Sequence, residues 1–207
     1  MRLGILVSGR GSNLEAVLDA IAAGRLPSIE AALVIANRAG IRALEVAARR
    51  GVPWRVLTLD DFPDDADARD NAIGQVLTDA RCDLALLAGY DRLLRGPYFA
   101  AFAGRTINIH PSLLPRHGGS GMVGLAVHAA VLAAGEVETG VTIHDVTPAL
   151  DAGPAILQRR IPVLRGDSAA ALAARVLEVE HLALVEVLAE LSGSMTAGSP
   201  APIRAQQ

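Results

Sequence analysis

Apolar runs of strand length alternate with helical patterns along the first half of the chain, and no other feature restricts its fold as much. Leu3–Val7, Ala31–Ala36, Trp54–Leu57, Leu84–Ala88 and Thr106–Ile109 read as strands. Asn13–Ala23, Arg42–Arg50 and Ala68–Ala80, lying between them, carry helical spacing. Strands separated by helices cannot pair as tight hairpins, so this order predicts a parallel sheet covered by helices on both faces. The second half departs from the pattern. A helix is expected near Leu125–Ala134, closed by Gly135, and strands at Gly140–Asp145 and Ala155–Pro162. A long helix is expected from Ala169 to Leu191, with Leu172, Val176, Val179 and Ala183 on one face and Asp167 and Ser168 at its N-cap. The stretch from Ser192 to Gln207 is rich in Ser, Gly, Ala and Pro and is expected to be disordered, leaving residues 1–191 as a single domain.

Composition narrows the class. Apolar residues make up 51% of the 207 and aromatics only 3%, so the core is built from Ala, Val, Leu and Ile. A net charge of -3 argues against a nucleic-acid partner, which would call for a basic stripe. The single cysteine, Cys82, excludes an internal disulfide and a multi-cysteine zinc site and reads as a packing residue. The first apolar run is too short for a signal peptide, and no segment approaches the 18 or so apolar residues of a membrane span. A cytoplasmic protein is expected. No pattern chooses between a monomer and a homodimer.

Two loops carry the chemistry. Asn108-Ile-His-Pro-Ser-Leu-Leu-Pro115 ends an apolar strand with an amide, an imidazole and two prolines. Proline lacks the N–H that would extend a strand, so Asn108 and His110 should stand at the mouth of a sheet. Asp151 lies in a second polar loop, Thr147–Pro154. A carboxamide donor, a titratable ring and a carboxylate are the parts needed to stabilise and discharge an oxyanion in acyl transfer. Alone, Asp151 reads as a turn cap and His110 as a loop histidine; together with Asn108 they read as a site.

Gly9-Arg-Gly-Ser-Asn13 follows the first strand and opens the first helix, where backbone N–H groups and the helix terminus favour a phosphate. A dinucleotide fingerprint fits less well: Leu14 replaces its third glycine, and Ala36-Asn37-Arg38 offers no acidic group for a ribose. Arg38 suits a 2′-phosphate, which leaves a phosphorylated nicotinamide cofactor as a minor alternative. The usual ATP phosphate loop is absent. His144 reads as a satisfied structural histidine, His117 and His128 as surface residues, His181 as solvated or packing, Glu180 by its spacing as a solvated helix glutamate, and Asp60–Asp67 as a solvated loop. No histidine is spaced with a carboxylate for a metal.

The chain closely resembles the folate-dependent glycinamide ribonucleotide formyltransferases of purine biosynthesis, from residue 1 to about 191. The resemblance rests on Ser8-Gly-Arg-Gly-Ser-Asn13, Leu87-Ala-Gly-Tyr-Asp-Arg-Leu-Leu94, Asn108-Ile-His-Pro-Ser-Leu-Leu-Pro115, Gly140-Val-Thr-Ile-His144 and Leu150-Asp-Ala-Gly-Pro154. The second-half motifs are shared with methionyl-tRNA and other formyltransferases, which usually carry an extra domain not seen here; the N-terminal glycine turn is more specific. The resemblance implies a Rossmann-like, mostly parallel α/β sheet with helices on both faces. It implies Asn108, His110 and Asp151 as catalytic residues and 10-formyltetrahydrofolate as co-substrate, with no metal. It implies that Gly11, Ser12 and Asn13 hold the substrate phosphate, that Glu180 meets the ribose, and that Arg92, Leu93 and Leu94 line the folate pocket, with Asn108 also beside it. Two departures stand out. Asp91 occupies a position where relatives often carry an apolar residue, and the 119–128 stretch is longer than in the shortest members, as a lid would be.

In the mechanism this implies, the amine of glycinamide ribonucleotide attacks the formyl carbon directly. Protonated His110 and the Asn108 amide donate to the oxyanion, and Asp151 raises the ring's pKa. A hydrolase releasing formate would use the same three residues without the amine. A formyltransferase for another amine, such as a sugar nucleotide, and a non-catalytic nucleotide-binding module each fit part of the pattern; the module would not need Asn108, His110 and Asp151 together.

Overall fold

The computed structural model describes residues 1–196. The strands run in the order β3-β2-β1-β4-β5-β6-β7 in one sheet. They are β1 (Arg2–Val7), β2 (Glu30–Ala36), β3 (Trp54–Val56), β4 (Leu84–Leu87), β5 (Arg105–His110), β6 (Glu138–Asp145) and β7 (Ala155–Pro162). The helices are α1 (Ser12–Ala22), α2 (Arg42–Arg49), α3 (Ala66–Asp79), α4 (Gly96–Ala101), α5 (Leu125–Ala133) and α6 (Ala169–Thr196). The chain divides into two compact units, Met1–Ile107 and a second beginning at Asn108.

In the first unit β1 pairs in parallel with β2 and β4, and β2 with β3. Leu3–Val7, Leu33–Ala36 and all of β4 are buried without alternation. Unbroken burial of successive residues, whose side chains point to opposite sides, means that both faces are covered. Helix α4 is absent from the sequence pattern. It is six residues long and begins Gly96-Pro97, which reads as a turn, yet proline suits a first helical turn. Its Tyr98 is fully buried and bonds Thr106 through the two hydroxyls at 2.8 Å. Helix α3 meets α4 so closely that a Cβ on Gly74 would lie 2.7 Å from Ala101 Cβ and 2.8 Å from the Tyr98 carbonyl. The acidic run before α3 is more than a solvated loop: Asp65 caps α3 by accepting from the Ala68 N–H, and Asp61 accepts from the Thr58 N–H, both at 2.8 Å. Cys82 packs in this unit, and burial pushes its thiol up to about 11, as expected of an inert residue.

In the second unit β7 returns antiparallel to β6, so the sheet is mostly but not wholly parallel. Ser168 caps α6 through its hydroxyl, which accepts from the Ala171 N–H at 3.1 Å. Leu172, Val176 and Ala183 are buried as the helical spacing predicts, and Val179 is half-buried. The helix runs to Thr196, beyond the expected end at Leu191, because Leu191 and Ser192 are themselves buried and extend its packed face. Residues 192–196 therefore belong to α6, while the rest of the expected tail, 197–207, lies outside the described residues. Among the described residues no helix is long and apolar enough to cross a membrane.

Candidate active site

Asn108 and His110 stand two residues apart at the end of β5, which puts their side chains on one face of the strand. Asp151 reaches the same place from the loop between β6 and β7. Its Oδ2 lies 3.8 Å from His110 Nδ1 and its Oδ1 3.8 Å from His144 Nε2. The Asp151 side chain is only 11% exposed. His144, near the end of β6, completes the cluster: Asn108 Nδ2 is 3.1 Å from His144 Nε2.

Backbone carbonyls fix the protons on both rings, because a carbonyl can only accept. His144 Nδ1 donates to the Asp145 carbonyl at 2.9 Å, so Nε2 of the neutral ring is left to accept from the Asn108 amide. His110 Nε2 donates to the His117 carbonyl at 2.8 Å, which leaves Nδ1 of the neutral ring bare and facing Asp151. Burial pushes the His110 pKa down; the His117 carbonyl and Asp151 pull it up by less, while His144 and His117 add to the fall. Asp151 does favour the charged ring, as expected, but desolvation outweighs it, and the resting ring is neutral at pH 7.

A second set of bonds holds this geometry. Ser112 Oγ donates to the Arg116 carbonyl at 2.7 Å, and Thr142 Oγ donates to the Ser112 carbonyl at 2.7 Å. The Leu114 N–H donates to Thr142 Oγ, and Gln158 donates to both Leu114 O and Thr142 Oγ. Glu136 anchors Arg116 at 2.8 Å and His117 at 3.1 Å. The 119–128 stretch is tied to the site at its start, where the Gly119 N–H donates to Asp151 Oδ2 at 2.8 Å. Glu180 is 7% exposed on the packed side of α6, not the solvated residue its spacing suggests. His128 is also buried, at 4% exposure, with Nδ1 unpartnered; desolvation and then the nearby His110 lower its pKa. The surface placement expected for His128 is therefore corrected. His117 is half-buried against Glu136 instead of lying free at the surface.

The other expected residues lie in the first unit and are described there by themselves. Gly11 is the N-cap of α1 at φ 77, a left-handed conformation, and supplies no side-chain cap. A Cβ there would meet Ala43 Cα at 2.8 Å, so only glycine fits both the conformation and the space. The turn is braced by the Ala43 N–H donating to Gly9 O and by Arg42 donating to Arg10 O, both at 3.2 Å. Ser12 is half-buried and Asn13 buried at the start of α1. In the 91–95 loop Arg92 and Leu93 are exposed, whereas Leu94 is buried at 2% exposure. A buried Arg69–Asp70 pair holds the loop: Asp70 accepts from the Arg95 N–H at 2.9 Å and Arg69 donates to Leu93 O at 3.4 Å. Arg38 is engaged by Asp91 at 2.6 Å, which weakens the case for a 2′-phosphate ligand. An acid-rimmed cleft of about 760 Å³, lined by Asp60, Asp64, Asp67 and Arg95 among others, contains none of the expected site residues. Among the described residues no three His, Cys, Asp or Glu side chains are grouped to hold a metal ion.

The family described as formyl transferase matches residues 1–188. The chain belongs to the formyl transferase family. Among its relatives, the Escherichia coli (strain K12) phosphoribosylglycinamide formyltransferase is 38% identical over 181 residues, covering 87% of this chain and 82% of that protein. The trifunctional purine biosynthetic protein adenosine-3 of Drosophila pseudoobscura pseudoobscura is 41% identical over 192 residues, 92% of this chain, but the chain spans only 14% of its length. The solved glycinamide ribonucleotide transformylase 1 of Symbiobacterium toebii superposes with a TM-score of 0.87 at 40% identity, covering 94% of this chain and 88% of that one. The fold of this formyl transferase is thus the one its sequence pattern predicts.

The expected trio of Asn108, His110 and Asp151 is brought together. His144 is a satisfied buried histidine, as its sequence context suggests, and it is also a member of the cluster. The signal for that second role lies in the sequence, since His144 follows Thr142 by two residues on one strand face and ends a strand just before the Asp151 loop.

Proposed function

We propose that this formyl transferase moves the formyl group of 10-formyltetrahydrofolate onto the primary amine of glycinamide ribonucleotide. The products are formylglycinamide ribonucleotide and tetrahydrofolate, and the setting is purine biosynthesis in the cytoplasm, with the catalytic domain running from residue 1 through the end of α6 instead of stopping at the expected 191. The observation that carries the reading is the cluster of buried His110 and His144 with half-buried Asn108 and Asp151, in a chain 38% identical to a phosphoribosylglycinamide formyltransferase over most of both lengths.

The amine nitrogen attacks the formyl carbon, and the carbonyl oxygen becomes an oxyanion. One Asn108 N–H bonds His144 and so aims the other at the oxyanion. Bare His110 Nδ1 takes the proton shed by the attacking nitrogen, directly or through a water, and becomes a cation between the oxyanion and Asp151. Each oxyanion donor contributes about 3–4 kcal/mol. Collapse expels the folate nitrogen, which takes the proton back. Gly11, Ser12 and Asn13 hold the substrate phosphate at the open start of α1, and Glu180 bonds the ribose. Arg92 and Leu93 face the folate with their side chains; Leu94, buried, anchors the loop and offers its backbone. Asn108 lies beside the folate as well.

The test is to mix the protein with 10-formyltetrahydrofolate, with and without glycinamide ribonucleotide, and follow tetrahydrofolate release. Release that requires the amine supports the reading. Equal release without it identifies a hydrolase, and no release in either case refutes both.

A further inference from the structure

Asp91 makes a junction that the reaction itself does not require. Its N–H donates to Ser8 Oγ at 2.9 Å, and Ser8 immediately precedes the Gly9–Asn13 turn. Its carboxylate accepts from Asn37 Nδ2 at 2.7 Å and from Arg38 at 2.6 Å, two residues that directly follow β2. Ser8 and Asn37 are buried. The next residues along the chain are Arg92 and Leu93, both exposed. One residue thus joins the segments leaving the C-terminal ends of β1, β2 and β4, adjacent strands of a parallel sheet, where α/β folds bind their ligands. Burial opposes its charge, but the bonds from Asn37, Ser8 and Arg38 outweigh that and hold its carboxyl below the usual carboxylate range. A neutral side chain cannot accept from Asn37 and a guanidinium with the same strength.

We infer that Asp91 is a positioning residue that ties the phosphate turn to the folate loop, so that filling one loop raises the affinity of the other. This rests on the functional reading above, which assigns those two loops their ligands. The physical basis is a shared set of hydrogen bonds: a ligand that orders the turn also orders Ser8, and through Asp91 it orders Arg92 and Leu93, so the second ligand loses less entropy on binding. An apolar residue at this position would keep the backbone N–H to Ser8 but lose the bonds from Asn37 and Arg38 that hold it in place.

The experiment measures initial rates over a grid of 10-formyltetrahydrofolate and glycinamide ribonucleotide concentrations, for the unmodified protein and for Asp91→Leu and Asp91→Asn. In the unmodified protein, saturating glycinamide ribonucleotide should lower the KM for the folate by roughly twofold to thirtyfold, the range for coupling through a bonded network. Asp91→Leu keeps the backbone N–H to Ser8 but loses the bonds from Asn37 and Arg38 that hold that N–H in place, so the factor should fall toward one with kcat retained, and amide exchange should quicken in residues 10–13 and 92–94 together. Both variants keep the backbone N–H to Ser8; Asp91→Asn also keeps a side-chain oxygen that can accept from Asn37, so it should fall between, and it supplies the answer if the leucine variant does not fold. The same coupling factor in all three proteins, or exchange that quickens in the 92–94 loop alone, overturns the inference while leaving the enzyme's function intact. Absence of amine-dependent turnover in the unmodified protein overturns the functional reading beneath it.

Discussion

Replacing Asp151 by asparagine isolates the carboxylate's charge from its architecture. The amide oxygen of the new side chain can still accept from the Gly119 N–H, which donates to Asp151 Oδ2 at 2.8 Å, so the loop connection survives. What disappears is the attraction between the carboxylate and the His110 cation formed during the reaction. Two unit charges 3.8 Å apart attract by about 4 kcal/mol at the effective dielectric of about 20 that suits protein sites. The side chain is mostly buried, so solvent screens this little. The resting ring is neutral, so the attraction exists only once the proton has moved, and the whole loss falls on the transition state. A drop in kcat of about three decades follows, with KM for both substrates within a few fold. Steady-state kinetics on the purified variant, with thermal melts to confirm folding, measure this. A kcat within tenfold of the unmodified protein would show that the carboxylate does not stabilise charge on His110, and the proton route through Nδ1 would have to be abandoned.

Three further outcomes are expected. Because burial lowers the His110 pKa, the ring is neutral in the folded state at pH 7. As pH falls below about 6.5 the unfolded state takes up its proton first, so this group's stability contribution is full above that pH and shrinks toward the lowered folded value. Activity should fall over the same acidic window as Nδ1 fills; a kcat that rises on acidification below pH 6.5 would mean the charged ring is the working form at rest. His144→Phe removes the acceptor of the Asn108 amide, and kcat should drop roughly tenfold with little change in KM; unchanged turnover would separate His144 from the oxyanion donor. Gly11→Ala places a Cβ 2.8 Å from Ala43 Cα at a positive φ, which should cost about 2 kcal/mol or more in urea unfolding and raise the KM for glycinamide ribonucleotide; a fully stable variant would contradict the geometry of the turn.

Much of the fold can be read from the chain because its strands are nearly pure aliphatic runs. β1, β2 and β4 lie within one residue of their expected limits, since parallel strands buried on both faces leave an unbroken apolar signature. Helix α4 is hidden because six residues beginning Gly-Pro show no periodicity. Asn108, His110 and Asp151 are legible because polar residues at the ends of apolar strands have few structural reasons to be there. The burial of Glu180 and His128 is not, because it is decided by what packs against their helices, and spacing within a helix does not report that. The direction of the His110 pKa shift escapes the sequence for the same reason: the neighbouring carboxylate is visible there, whereas the loss of solvent that outweighs it exists only in the fold. The role of Asp91 is hidden because its partners, Ser8, Asn37 and Arg38, lie more than fifty positions away.

An open sheet has two borders, and each is a hazard. A strand with an unpaired flank is a template on which another polypeptide can add, and this is how soluble proteins begin to form fibres. Here β3 at one border is three residues long, too short to template a ladder. At the other border β7 carries Gln158-Arg159-Arg160 in sequence, with Arg159 paired to Glu186 and Arg160 to Glu138. An incoming strand would have to lie against these cations and their anchored counter-charges. Neutralising both, as Arg159→Val with Arg160→Val, should leave catalysis alone and raise the tendency of concentrated protein to form thioflavin-positive aggregates.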